Sequence, residues 1–135
     1  LSLAYLPYEA DKLEVYLAGG AGNETEYARI CRLAEKAPYP VHFLGKLEQM
    51  ELAKVYNTCD IFALPSFSEG LPLTVIEALA CGDRVVMSDL PGIREWLDTY
   101  APGADIRYVE LPRMNRLEKN FRLMRNALQN HCRKV

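Results

Sequence analysis

The sequence predicts an α/β protein built on a parallel, doubly wound sheet. Short apolar runs alternate with longer stretches of helical periodicity along most of the chain. Each gap between successive apolar runs leaves room for a crossover helix, which is the βαβ pattern of parallel strands. With 135 residues, half of them apolar and a quarter charged, the chain has the length and composition of one globular domain with its own core.

Leu13–Ala18 (LEVYLA) reads as the first strand, closed by Gly19-Gly20-Ala21-Gly22. Asn23 or Thr25 caps the helix that follows to about Lys36, with Tyr27, Ile30, Cys31 and Ala34 at helical spacing. Pro38 and Pro40 break it, and Val41–Leu44 forms a second strand ended by Gly45. A helix from about Glu48 to Asn57 leads to a third strand, Asp60–Leu64, stopped by Pro65. The next helix begins with Pro72 at its first position and runs to about Cys81, with Gly82 in the terminating position. Arg84–Met87 is a fourth strand, Pro91–Leu97 a short helix and Asp105–Leu111 a last strand. Leu117, Phe121, Met124 and Leu128 mark the inner face of a final helix.

Composition narrows the function. A net charge of −2 offers no electrostatic footprint for nucleic acid, and the basic residues Arg122, Arg125, Arg133 and Lys134 read as a solvated helix face. Cys31, Cys59, Cys81 and Cys132 form no CxxC pair, and with His42 and His131 they lack metal-ligand spacing. The first three are read as reduced core thiols of a cytoplasmic protein. Tyr56, Phe62 and Trp96 are read as packing residues rather than sugar platforms. No apolar run approaches the ~20 residues of a membrane span, and no signal peptide is visible. The chain opens on Leu1 rather than methionine, so it is expected to be a piece of something longer.

In a doubly wound sheet, ligands bind beyond the carboxyl ends of the strands. Those junctions carry GGAG, GK, PSFSEGLP and SDLPG. Gly70, Leu71 and Pro72 stand where the third strand turns into a helix, and free amides with a helix dipole attract an anion there. Glu77 lies on an otherwise apolar helix, where an unpaired buried carboxylate is costly. The pattern alone leaves its partner open among a structural cation, solvent at the helix edge and a ligand. Glu77 falls roughly 7–8 Å along the helix from Pro72, which separates it from Glu69 by too much for an acid–base pair on one atom. An elongated ligand with hydroxyls at both ends and an anion between fits that spacing.

The segment PSFSEGLPLTVIEALACGDRVVMSDLPGIRE resembles the signature of retaining GT-B glycosyltransferases, family 4 in particular, with Glu69 and Glu77 as its E-x7-E pair. The upstream LAGGAG, the FLGKL at 43–47 and ELAKVYNTCDIFALPS follow the family's order, so the resemblance covers about Leu13 to Glu95. It implies a Rossmann-like three-layer αβα domain with a parallel sheet, one half of a GT-B fold, in which residues 1–135 form the nucleotide-sugar-binding domain. It further implies transfer of a sugar from a nucleoside diphosphate sugar, with UDP or GDP as nucleotide, to a glycan, lipid or other acceptor, as in polysaccharide biosynthesis. Glu77 would hold the ribose hydroxyls. Glu69, the candidate catalytic residue, would contact the hydroxyls of the transferred sugar. The amides of Gly70 and Leu71, at the helix start by Pro72, would hold the diphosphate. Gly20 and Gly22 would lie near the donor, with Gly45 and Lys46 beside the base. No metal or other cofactor is implied, because amides and basic side chains neutralise the leaving diphosphate.

The sequence departs from the family pattern at three points. Asp83-Arg84 stands where the family has an apolar residue and proline, a change expected to affect only a turn. The family's diphosphate-binding Arg and Lys precede a first helix that corresponds here to Leu1–Glu9, so those positions are absent. The acceptor-binding N-terminal domain is absent too, and any membrane association would come through it. The chain alone is therefore expected to bind donor weakly and to transfer nothing.

Other classes fit less well. Gly20-x-Gly22 follows a strand as a dinucleotide fingerprint requires, but Thr25 occupies its third glycine position and no acidic residue clearly ends the next strand. A GT-B nucleotide-sugar epimerase would keep its catalytic groups mainly in the absent domain. A non-catalytic interaction domain is disfavoured by the intact Glu69 and Glu77.

Overall fold

The structure, a computed structural model, describes residues 12–111 and 126–127. Parallel strands alternate with helices, giving the Rossmann-like αβα fold expected of one half of a GT-B protein. The strands pair as two sheets, and the chain divides into two compact units near Leu52 and Ala53.

In the first unit β1 (Val15–Ala18) and β2 (Val41–Gly45) pair in parallel, Val15 opposite Val41 and Ala18 opposite Gly45. Their crossover is α1 (Glu24–Ala34). Of the two capping candidates the structure selects Asn23, extended at φ −143°, whose Oδ1 accepts the Glu26 N–H at 3.1 Å. Glu24 and Glu26 in the first turn complement the helix dipole. Tyr27 sets its edge on Phe43 at 5.7 Å between ring centres, which fixes α1 against β2. The Tyr16 and His42 rings stack across the strands at 4.8 Å.

In the second unit β3 (Ile61–Leu64), β4 (Arg84–Ser88) and β5 (Ile106–Val109) form a parallel sheet in that order. The central strand β4 buries Val85, Val86, Met87 and Ser88 completely, as its near-continuous apolar run requires. The crossovers are α3 (Leu73–Ala80) and α4 (Ile93–Tyr100), with α2 (Gln49–Tyr56) preceding β3. Val75 and Ala78 from α3 and Ile93 and Leu97 from α4 point inward at three- and four-residue spacing. Val75, Val85, Met87, Leu90, Ile93 and Leu97 make the core, each contributing about 1.5–3 kcal/mol by burial. Phe62 and Trp96 pack against this cluster, and Tyr56 meets Phe62 edge-on at 5.6 Å.

Several expectations are refined. Pro72 is the N-cap of α3, one position earlier than expected. Gly82 takes φ +93° directly after the Cys81 C-cap, as a helix-ending glycine should. α4 starts after Gly92 and runs three residues past Leu97, because the Thr99 hydroxyl bonds the Glu95 carbonyl and Tyr100 packs on Trp96 at 4.9 Å. Cys31, Cys59 and Cys81 are free thiols but only half-buried, so they edge the core rather than fill it. The expected Leu1–Glu9 helix lies outside the described residues, as do Cys132, His131 and the C-terminal basic residues; of the final helix only Asn126 and Ala127 are described, and they are helical. Among the described residues no helix is long and apolar enough to cross a membrane.

Candidate functional site

The junction between β3 and α3 owes its shape to its prolines and glycine. Pro65 ends β3 by removing a ladder donor, and the loop then carries Ser66, Glu69, Gly70 and Leu71 to the start of α3. The Ser66 hydroxyl donates to Glu69 Oε1 at 2.5 Å, so the half-buried carboxylate is oriented from within its own loop.

At the helix start, Pro72 has φ −77° and ψ 82° and no side-chain cap. An ordinary N-cap would use its side-chain oxygen on the second or third helical amide, which proline cannot do. The Leu73 N–H turns back to the Leu71 carbonyl and the Val75 N–H to that of Pro72, both at 2.9 Å. The N–H groups of Gly70, Leu71 and Thr74 have no backbone acceptor among the described residues. Three donors therefore lie at the positive end of the α3 dipole. Thr74 is a donor the sequence reading missed; the signal was a proline cap, which leaves the second helical amide unclaimed.

Glu77 is the fifth residue of α3, about 6 Å along the axis from Leu73. It is half-buried beside the fully buried Val75 and Ala78. Its charge reaches Tyr56, whose hydroxyl is pushed up to about 12 by burial and then by Glu77, Asp83 and Cys81. Glu69, Gly70, Leu71 and Pro72 thus gather at one end of α3, with Glu77 just over one turn further on.

The carboxyl end of β4 adds a pair that sequence reasoning did not single out. Asp89 accepts from Arg94 at 2.8 Å, and the Arg94 guanidinium covers the Tyr108 ring at 4.6 Å from its centre. The spacing Asp-x4-Arg across a Pro-Gly turn was the available signal.

In the first unit the Gly19 N–H donates to the Gly45 carbonyl at 2.8 Å, drawing the carboxyl ends of β1 and β2 together. Gly45 has φ +67°, which favours glycine. Gly20, Gly22 and Lys46 are exposed at this end. A Cβ added at Gly20, Gly22 or Gly70 would meet nothing within 4 Å, and none of the three has positive φ. Neither packing nor backbone conformation demands glycine there. Among the described residues no group of three or more His, Cys, Asp or Glu is placed to hold a metal ion.

The fold and the strand-to-helix junction define a class, and comparison with known proteins places the chain in it. Residues 2–106 match the family described as glycosyl transferases group 1, and the chain belongs to that family. It is 39% identical over 85 residues to the N,N'-diacetylbacillosaminyl-diphospho-undecaprenol alpha-1,3-N-acetylgalactosaminyltransferase of Campylobacter jejuni, covering 63% of this chain and 21% of that protein. It is 35% identical over 95 residues to the D-inositol 3-phosphate glycosyltransferase 2 of Catenulispora acidiphila, covering 67% of this chain and 22% of the relative. The chain thus matches about a fifth of the length of these curated relatives. Its fold is similar to that of a sucrose-phosphate synthase from Thermosynechococcus elongatus, with a TM-score of 0.61 and 22% identity over 99% of this chain and 36% of that one.

Proposed function

We propose that residues 1–135 are the nucleotide-sugar-binding domain of a cytoplasmic glycosyltransferase that moves a sugar from a UDP- or GDP-sugar to a glycan, lipid or other acceptor, as in polysaccharide biosynthesis. The observation that carries this reading is the start of α3, where three amides without a backbone acceptor among the described residues lie between Glu69 and Glu77. The amides of Gly70, Leu71 and Thr74 would hold the diphosphate and stabilise its charge as the glycosidic bond breaks. Pro72 supports this role by leaving the Thr74 amide uncapped. Glu77 would accept hydrogen bonds from the ribose hydroxyls, and Glu69, held by Ser66, would accept them from the sugar. Glu69 would thereby position the sugar for transfer.

The glycines at 20 and 22 would allow close approach of the donor, and Gly45 with Lys46 would lie beside the base. An acceptor-binding domain of the same enzyme would complete the catalyst and would provide any membrane association. The relatives named above act on a diphospho-undecaprenol-linked sugar and on inositol phosphate, which supports a phosphorylated or lipid-linked acceptor as the first class to examine.

The full-length protein should release UDP or GDP from a matching member of a nucleotide-sugar panel when supplied with acceptor. Glu69→Gln should slow that release about a hundredfold while leaving donor binding within a fewfold. Inversion of the donor sugar without transfer would instead identify an epimerase, and no turnover of any donor would favour an interaction domain.

A further inference from the structure

On the sheet of the first unit, Tyr16 holds a carboxylate and an imidazole side by side. Its hydroxyl donates to Glu14 Oε2 at 2.6 Å, and its ring stacks on that of His42 at 4.8 Å with the planes 18° apart. His42 Nε2 lies 3.3 Å from the same Glu14 oxygen.

The placement follows from strand register. Tyr16 of β1 is paired with His42 of β2, and Glu14 precedes Tyr16 by the two-residue period that returns a side chain to the same face. Phe43, which Tyr27 of α1 meets, belongs to the other face. The Glu14 and His42 side chains are 55% and 44% exposed, so an ion from solvent can reach both. They stand toward the amino ends of β1 and β2, away from Gly20, Gly22, Gly45 and Lys46 beyond the carboxyl ends.

Imidazole nitrogen and carboxylate oxygen both ligate zinc, at about 2.0–2.2 Å from the ion. Two such ligands at a tetrahedral angle stand about 3.3–3.4 Å apart. The observed 3.3 Å fits that spacing. Metal ligands are ordinarily oriented by the groups behind them, and Tyr16 does this for both, through its hydroxyl and its ring. No sequence motif marks the pair, because its members come from different strands far apart in the chain.

A link between the strands would matter in this unit. Its sheet has two strands, and among its described residues only Tyr39 is buried. So small a core is the setting in which a bound metal adds most to stability.

We propose that Glu14 and His42 form a zinc site that ties β1 to β2, with Tyr16 as the positioning residue and water at the ion's other positions. The site is separate from the proposed donor site and does not depend on it.

The test uses the full chain carrying His131→Ala and Cys132→Ser, which removes two adjacent donors near its end. Zinc chloride titrated calorimetrically at pH 7.5 should bind saturably in the micromolar range and raise Tm. His42→Ala and Glu14→Gln should each weaken that binding at least tenfold and abolish the Tm rise. Tyr16→Phe, which keeps the ring and loses the hydroxyl, should weaken it about tenfold. Cobalt(II) at the same site should show no thiolate-to-metal charge-transfer absorption, which separates it from the remaining cysteines. Absence of zinc binding, binding that survives His42→Ala or Glu14→Gln, or a thiolate band with cobalt would overturn the site; full affinity in Tyr16→Phe would overturn the role of Tyr16.

Discussion

Ser66 Oγ and Glu69 Oε1 lie 2.5 Å apart, joined by a hydrogen bond that fixes the acidic residue of the β3–α3 loop before any ligand arrives. Hydrogen bonds to a carboxylate are among the stronger ones, and a half-buried one contributes about 1–2 kcal/mol. Ser66→Ala in the full-length protein should therefore reduce kcat for sugar transfer about 5- to 30-fold. Donor KM should change less than kcat, because Glu69 would still be present but no longer oriented. Steady-state kinetics with the preferred donor measure the split; Ser66→Thr, which keeps the hydroxyl, should recover most of the loss.

Gly45 closes β2 with φ +67° while its carbonyl receives the Gly19 N–H. A Cβ would meet no steric obstacle there, so the cost of Gly45→Ala is conformational only. It should destabilise the chain by about 1 kcal/mol and lower Tm by about 4 °C. Gly20→Ala, at a position without positive φ, should leave Tm within about 1 °C. Thermal denaturation of both variants followed by circular dichroism makes the comparison.

Asp83 gives stability a specific pH dependence. Its folded pKa of about 6 lies above the ordinary 3.8, so folding favours the protonated form. The corresponding stabilisation is complete below about pH 4 and is lost as pH rises through 6. Asp83→Asn removes the ionisation and should be more stable than the parent at pH 8 by about 1–2 kcal/mol. The advantage should vanish by pH 4. Urea denaturation across that range tests it, and a difference independent of pH would contradict the assignment.

The core makes a simpler demand. Leu97 on α4 is 1% exposed and packs into the cluster around Met87. Leu97→Ala should cost about 2–5 kcal/mol, and Tyr100→Ala, at the exposed end of the same helix, far less. Denaturant midpoints for the two variants distinguish them.

The alternation of strands and helices was legible because apolar periodicity and Gly/Pro punctuation act locally. Asn23, Pro65 and Gly82 all do what their chemistry requires. The extension of α4 to Tyr100 was not legible, since Asp98 and Thr99 are weak helix formers, while the Thr99 bond to Glu95 and the Trp96–Tyr100 contact appear only once the helix exists. Pairing of the strands as β1-β2 and β3-β4-β5 likewise depends on contacts that periodicity does not encode. At the candidate site, Glu77 stood out because its carboxylate interrupts an apolar helix, and Glu69 through its E-x7-E spacing from Glu77. Ser66 and Thr74 did not, because a hydroxyl and an amide gain meaning only from the neighbour they face. Asp83 passed as a turn residue because burial of a single side chain between two helix ends leaves no periodic trace.

Calorimetric titration of this chain with UDP, GDP and ADP tests whether the start of α3 holds a nucleotide diphosphate with Glu77 on its ribose. One of the three should bind with measurable heat. Glu77→Ala should weaken that binding about 10- to 100-fold, through loss of charge-assisted hydrogen bonds to the ribose, while the fold is retained. A folded chain that binds none of the three, or a Glu77→Ala variant that binds as tightly as the parent, would contradict the account.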